Sequence, residues 1–138
     1  MISRTALHTL RATVFLAQDP RQQFHGAAEI AESIEAPANY LGKLLQTLAR
    51  KGILISQKGS GGGFKLARPP HEVTLYEVVD PIDDVHRFSF CFLGQGKCSD
   101  ENPCALHKRW GDVRNRYRDM LEDFTLADLA HHSKKTAP

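Results

Sequence analysis

Apolar residues at the start of the chain recur at three- and four-residue intervals. Leu7, Leu10, Val14 and Ala17 mark one helical face, so the spacing predicts a first helix from about Ser3 to Gln18. Asp19–Pro20 ends it, because a proline disfavours helical backbone in the residue before it. Ala27, Ile30, Ala31 and Ile34 predict a short second helix that closes near Pro37. Leu41, Leu44, Leu45 and Leu48 predict a third, terminated at Gly52, a residue suited to the left-handed conformation that ends helices. Beyond Gly52 the period changes. Ile53-Leu54-Ile55-Ser56 and Phe64-Lys65-Leu66-Ala67 read as two strands around the glycine-rich tip Lys58-Gly59-Ser60-Gly61-Gly62-Gly63.

A fourth short helix, from Thr74 to about Val79, carries a capping box in which Thr74 is the N-cap and Glu77 the N3 residue. Periodicity is lost from Pro81 to Pro103, a stretch that reads as a loop. A long helix follows from about Cys104 to Phe124, then a terminal turn or helix at Thr125-Leu126-Ala127-Asp128-Leu129. The expected fold is mostly α with a small β-hairpin wing: a winged helix-turn-helix plus a long C-terminal dimerisation helix. The expected units are a DNA-binding domain over 1–80, a cysteine-rich loop over 81–103, the dimerisation and terminal helices over 104–130, and a polar tail over 131–138.

Composition sharpens this picture at one point. At 138 residues, 41% hydrophobic and 25% charged, the chain fits one soluble domain with an arm. The first apolar stretch is broken by Arg4, His8 and Arg11, so no signal peptide is expected. No run approaches the roughly 18 residues of a membrane span, and a cytoplasmic location without membrane association is expected. The net charge of +2 conceals a block: Ala38 to Arg68 holds Lys43, Arg50, Lys51, Lys58, Lys65 and Arg68 and no acid. A block of one sign fits either a solvated face or a polyanionic partner.

Helical spacing favours the partner. Stepping about 100° per residue puts the four leucines of the third helix in one stripe and Asn39, Lys43, Gln46 and Arg50 opposite. Asn and Gln can pair bidentately with adenine, and Lys and Arg reach guanine or phosphate. The second helix of a helix-turn-helix presents its N-terminal part to the major groove, so Asn39, Tyr40, Gly42, Lys43 and Gln46 are the candidate groove contacts, with Arg50 placed for phosphate. A glycine-rich tip between two strands is not a nucleotide-binding P-loop, which needs a following helix and a Gly-Lys-Ser/Thr run. It suits a wing whose Lys58, Gly59, Ser60 and Gly61 approach DNA closely.

Cys91, Cys98 and Cys104 lie within fourteen residues. In a reducing compartment such a group reads as metal-binding or reactive rather than as a disulfide framework. His107, three residues after Cys104 where the long helix begins, is the candidate fourth ligand. On the residues alone an iron–sulfur cluster, a structural zinc site and a bare-thiol or disulfide switch stand equal. A Cys104–His107 nucleophilic dyad would need an orienting partner and a substrate pocket, which one helical turn rarely builds, so an enzyme is not expected.

The run Tyr40-Leu41, the leucine stripe, Lys51-Gly52-Ile53-Leu54 and the wing Lys58 to Ala67 together resemble the IscR/NsrR type of winged-helix regulator, the Rrf-two family. The likeness continues through Val73-Thr74-Leu75-Tyr76-Glu77-Val78-Val79, the three cysteines and Thr125 to Leu129, covering nearly the whole chain. It implies a homodimeric regulator, a repressor in the expected sense, that binds a palindromic operator in double-stranded DNA. The operator affinity would follow redox, nitric oxide or iron–sulfur status. The resemblance favours iron–sulfur over zinc or bare thiols, and a histidine ligand at the His107 position. Three cysteines and one histidine imply a 2Fe–2S cluster, which an aerobically prepared sample can lack. Two departures stand out. The first cysteine gap is six residues and the second five, where familiar members have five and five, and Gly42 stands where relatives can carry an acidic discriminating residue. Some relatives use an N-terminal carboxylate as ligand, but this chain has no Asp or Glu before Asp19, leaving His8 as the substitute there.

On the long helix, Leu106, Trp110, Val113, Tyr117, Leu121 and Phe124 form a stripe about 27 Å long at 1.5 Å per residue. Such a seam on a chain with a small core predicts pairing with a second copy across a two-fold axis.

Overall fold

A computed structural model describes residues 2–85, 91–93 and 101–132. Cys98 and the tail from residue 133 lie outside the described residues. Helices α1 (Arg4–Ala17), α2 (Ala27–Ile34) and α3 (Ala38–Arg50) are followed by strands β1 (Leu54–Gln57) and β2 (Gly63–Leu66). A 3-10 turn (Pro70–Glu72), α4 (Leu75–Asp83), α5 (His107–Asp123) and α6 (Leu126–His132) complete the order. It is the winged helix-turn-helix expected from the sequence, with the long helix behind it.

Each boundary has a local cause. Ser3 caps α1, its hydroxyl accepting the Ala6 N–H at 3.0 Å. The α1 face that meets the core includes Thr9 and Thr13, whose buried hydroxyls donate to the Thr5 and Leu10 carbonyls of their own helix. Glu35 takes a left-handed conformation (φ 57°) to end α2, and Ala36 N–H returns to the Ala31 carbonyl at 2.9 Å. Pro37 then starts α3, which makes the tight turn between the two helices. Leu41, Leu45 and Leu48 are fully buried, joined by Ile30, Ile34, Leu16, Val78 and Val79 in one core. The strands pair antiparallel in the register Leu54↔Leu66 to Gln57↔Gly63.

Three features depart from the sequence reading. First, α4 does not stop before Pro81 but runs through it to Asp83. A proline in the last turn removes one helical hydrogen bond, and a strong cap beyond it compensates. Asp84 turns left-handed and donates to the Asp80 carbonyl at 2.8 Å, while the Asp80 carboxylate accepts the Val85 N–H at 2.9 Å. Asp83 is buried and accepts from both the backbone N–H and the hydroxyl of Ser3, so the end of α4 is clamped to the start of α1.

Second, the wing has a third pairing position. His25 exchanges two backbone hydrogen bonds with Phe64 at 2.9 and 2.8 Å, fastening β2 to the loop before α2. Gly63 makes this approach possible, because a Cβ there would stand 2.2 Å from the His25 carbonyl oxygen and its φ is 131°.

Third, α5 begins at His107 rather than Cys104. Cys104 to Leu106 turn through one His107 N–H to Cys104 carbonyl bond, and the next bond back is Trp110 N–H to the Leu106 carbonyl. Cys104 therefore precedes the helix whose first residue is His107, and the two do not lie on one helical turn.

The chain closes by laying its end beside α4. Thr74 and Thr125 pair through Leu75 N–H to Phe124 carbonyl and Leu126 N–H to Val73 carbonyl bonds. Both threonines cap the helix they precede: Thr74 with Glu77, Thr125 with Asp128. The far end of α5 is thereby anchored through Leu121 and Leu126, both buried.

Candidate nucleic-acid interface and thiol centre

Leucines of α3 take up its inner face, which leaves Asn39, Lys43, Gln46 and Arg50 exposed together on the outer one. The surface is ordered rather than a loose fringe. Arg50 donates to the Thr47 hydroxyl at 3.2 Å, and Thr47 donates to the Lys43 carbonyl at 3.2 Å. Gln46 reaches across to β1, its amide donating to the Ser56 hydroxyl at 3.3 Å. Tyr40 is half-buried and sits edge-on to His8 of α1, with its hydroxyl 3.3 Å from the His8 Nδ1.

Gly42 is the exception among the expected groove contacts. A Cβ there would meet the Ala27 side chain at 3.7 Å, so the position faces the α2–α3 crossing.

In the wing, Lys58, Gly59, Ser60 and Gly61 are all exposed. Gly59 and Gly61 have φ of 90° and 76°, which lets the tip turn without the strain a Cβ would bring. The basic block divides in the folded chain. Arg68 is paired with Glu77 at 2.7 Å, and Lys65 lies over the Phe24 ring with its ammonium 4.8 Å from the centroid. Lys43, Arg50, Lys51 and Lys58 remain exposed, so the block contributes fewer cations to a polyanion than its count implies.

Sequence reasoning missed His25. Its two ring nitrogens meet Asp19 at 2.9 Å and Glu29 at 3.1 Å, while its backbone holds the wing. Burial works against its charged form, but the two carboxylates outweigh that and raise its pKa above 6.5. The Gln23 N–H, the His25 imidazole and the Arg21 N–H all donate to Asp19, which brings its pKa down to about 2. Only the short acid spacings Asp19–His25 and His25–Glu29 hinted at this. A loop histidine with carboxylates six residues before it and four after it is too common a pattern to single out.

At the other end of the chain, Cys91 and Cys104 are half-buried with their sulfurs 3.3 Å apart and no disulfide between them. Phe92 stands against Trp110 of α5, ring centroids 5.3 Å apart. His107 is half-buried at the first position of α5. Among the described residues no group of three His, Cys, Asp or Glu side chains converges as a metal site. Of the four expected donors, Cys91 and Cys104 form a thiol pair, the described His107 does not join them in a group of three, and Cys98 lies outside the described residues. Soft thiolates brought together at a loop are the donor type that iron–sulfur clusters and zinc use, so the residues present fit such a group.

Along α5 the exposed apolar residues are Leu106, Val113, Met120 and Phe124, with Trp110 and Tyr117 half-buried between them. Leu121 is 2% exposed and lies in the chain's own core, so it has no surface left for a second subunit. Met120, 46% exposed, takes its place in the outer stripe. The spacing becomes four, three, four, three, four, which is the heptad seam of a coiled coil. The sequence pattern could not separate the neighbours, because both are apolar and both extend the stripe.

A tight helical pair whose second helix bears an acid-free polar face, beside a lysine-tipped hairpin, defines a winged-helix DNA-binding regulator. The Rrf2 family, described as iron-dependent transcriptional regulators, matches residues 2–132, and the chain belongs to it. It is 30% identical over 137 residues to a protein of Aquifex aeolicus described as an HTH-type transcriptional regulator, covering 98% of this chain and 94% of that one. In fold it is similar to T. potens IscR, with a TM-score of 0.78 at 22% identity over 100% of this chain and 91% of the other. It is also similar to the oxidized form of Staphylococcus aureus CymR, with a TM-score of 0.76 at 24% identity, covering 96% and 97%. At those two identities the likeness speaks for the fold alone. The family consists of transcriptional regulators, not enzymes, and no helix among the described residues is long and apolar enough to cross a membrane.

Proposed function

We propose that this regulator acts as a homodimeric repressor on a palindromic operator, its affinity set by an iron–sulfur cluster on Cys91, Cys98, Cys104 and His107. The observation that carries the sensing part is the Cys91–Cys104 sulfur pair, placed immediately before α5. In this reading Asn39, Lys43 and Gln46 contact bases, while Arg50, Lys58 and the backbone of Gly59, Ser60 and Gly61 contact phosphate or the minor groove. Tyr40, held by His8, packs at the edge of that surface. Leu106, Trp110, Val113, Tyr117, Met120 and Phe124 form the dimer seam, which sets the distance between two reading heads.

When bound, a 2Fe–2S cluster supplies reversible one-electron chemistry and iron reactive toward small oxidants. The residues of this chain translate its presence into geometry. Cys91 and Cys104 draw the loop onto the root of α5, and Phe92 on Trp110 carries that contact into the apolar seam. A change in ligation alters operator affinity only as far as the two arrangements bind the cluster differently.

Anaerobic purification with metal analysis tests this. Visible absorption bands with stoichiometric iron and sulfide are expected, with Cys98→Ala abolishing them while far-ultraviolet circular dichroism stays unchanged. A colourless, zinc-loaded protein would refute the cluster.

A second reading uses the thiols alone. The 3.3 Å sulfur separation leaves Cys91 and Cys104 one small movement from a disulfide. A neighbour of the same fold, Staphylococcus aureus CymR, has a structure described as its oxidized form, which supports this reading. In that case peroxide treatment of metal-free protein would change operator affinity, and Cys91→Ser would abolish the response.

A further inference from the structure

Ser56 lies on β1, outside every contact a helix-turn-helix is expected to make, yet it is the residue that holds Gln46. Leu54 and Ser56 share one face of the strand because side chains alternate. Leu54 is buried beneath α3, which brings Ser56 out beside the α3 surface where Gln46 emerges. The hydroxyl is exposed but its backbone is not loose. Ser56 pairs with Phe64, and Phe64 is fixed from its other edge by the two hydrogen bonds to His25. A long, exposed amide is therefore tied to a rigid anchor at 3.3 Å.

The hydrogen-bond inventory of Gln46 gives this tie a consequence. A glutamine amide carries two N–H donors and one carbonyl. Ser56 takes one donor, which leaves one N–H and the carbonyl of this exposed side chain for a base. Adenine in the major groove asks for that pair: an acceptor for its N6 amine and a donor for its N7. Arg50, one turn further along the same face, supplies a cation that brings the surface against phosphates.

We propose that Ser56 is a positioning residue for sequence recognition, holding Gln46 so that its amide reads one A·T pair in each half-site. The inference rests on α3 reading DNA bases and adds the residue that sets the reading geometry. Without Ser56 the glutamine must be immobilised on binding, at a cost equivalent to roughly a 3- to 10-fold loss of affinity.

The test starts with wild-type protein and a randomised duplex pool. The selected duplex and its complete set of single-base variants are then titrated against wild type, Ser56→Ala, Ser56→Thr, Gln46→Ala and the Ser56→Ala/Gln46→Ala double variant. Ser56→Ala should bind the selected duplex roughly 10- to 100-fold more weakly, the per-subunit factor acting at both half-sites, and the deficit should shrink to roughly 3- to 10-fold on duplexes in which one particular A·T pair of one half-site is replaced. Ser56→Thr should restore binding, and Ser56→Ala should add nothing in the Gln46→Ala background. A deficit equal on all duplexes, or one that persists without Gln46, overturns the inference while leaving DNA reading intact. Failure of the wild type to select any sequence removes base reading by α3 and this inference with it.

Discussion

Met120 and Leu121 are adjacent, apolar and of similar size, yet they should fail in opposite ways when cut to alanine. Alanine keeps the helix, so each change removes only side-chain packing. Leu121 is 2% exposed within one chain, and Leu121→Ala leaves a cavity there at a cost of about 2–5 kcal/mol, a large share of a small domain's stability. Met120 is 46% exposed, so in a lone subunit its loss should cost about 0.8–1.6 kcal/mol, less than that of Leu121. Its remaining area is what a partner would cover. Full burial of a methionine is worth about 1.5–3 kcal/mol, so the uncovered half contributes about 0.7–1.4 kcal/mol per subunit. Two copies across a two-fold axis give about 1.4–2.8 kcal/mol, a roughly 10- to 100-fold rise in the dimer dissociation constant. Sedimentation velocity across a dilution series reads the second quantity, and urea unfolding at high protein concentration reads the first. Met120→Ala should shift the dissociation curve and Leu121→Ala the unfolding midpoint. A Met120→Ala protein as unstable as Leu121→Ala, or one that dimerises like the wild type, would refute the assignment of the two faces.

Lys58→Ala tests the wing through salt. With Arg50 and Lys58 from two subunits on phosphates, log affinity should fall against log salt with a slope near −4, which the variant reduces by about 2. An unchanged slope in a titration of the selected duplex would place Lys58 off the DNA. The His25 clamp predicts a pH dependence. Because its pKa is raised in the folded state, its contribution is fully present below about 6.5 and is lost as pH rises through the folded value. Asp19, brought down to about 2, contributes above about 4 and fades in acid. Thermal midpoints of the wild type should therefore drop between pH 6 and 8 by more than those of His25→Gln, and parallel curves would contradict the clamp. Gly63→Ala drives a Cβ to 2.2 Å from the His25 carbonyl at a φ of 131°, so it should lower stability by at least ~2 kcal/mol in urea unfolding. Wild-type stability would show that the wing root is not held there.

Much of this was legible in advance where a pattern has one physical cause. The three-four spacing of Leu41, Leu45 and Leu48 placed α3, and the change of period after Gly52 placed the wing. Thr74 and Glu77 marked the start of α4. The end of α4 was hidden, because Pro81 is an ordinary stop signal and its override depends on Asp80 and Asp84 closing the helix beyond it. The polar face of α3 was readable residue by residue except at Gly42, whose environment is set by Ala27 on another helix. His25, Ser56 and the pairing of Arg68 with Glu77 depend on contacts across turns between different elements, and periodicity carries no information about those. The same limit governed Met120 and Leu121, since a stripe of apolar residues states a direction and not which neighbour faces inward.

The central claim is that a basic helix-and-hairpin surface docks on duplex DNA while thiolate chemistry at the root of α5 adjusts the fit. Its most direct measurement is the affinity of anaerobically purified full-length protein for the selected duplex, before and after removal of bound metal at one fixed salt concentration. At least about a 10-fold difference between the two states is expected, the size of a typical allosteric coupling, with no difference in Cys91→Ala. Equal affinity in both states of the wild type would contradict it.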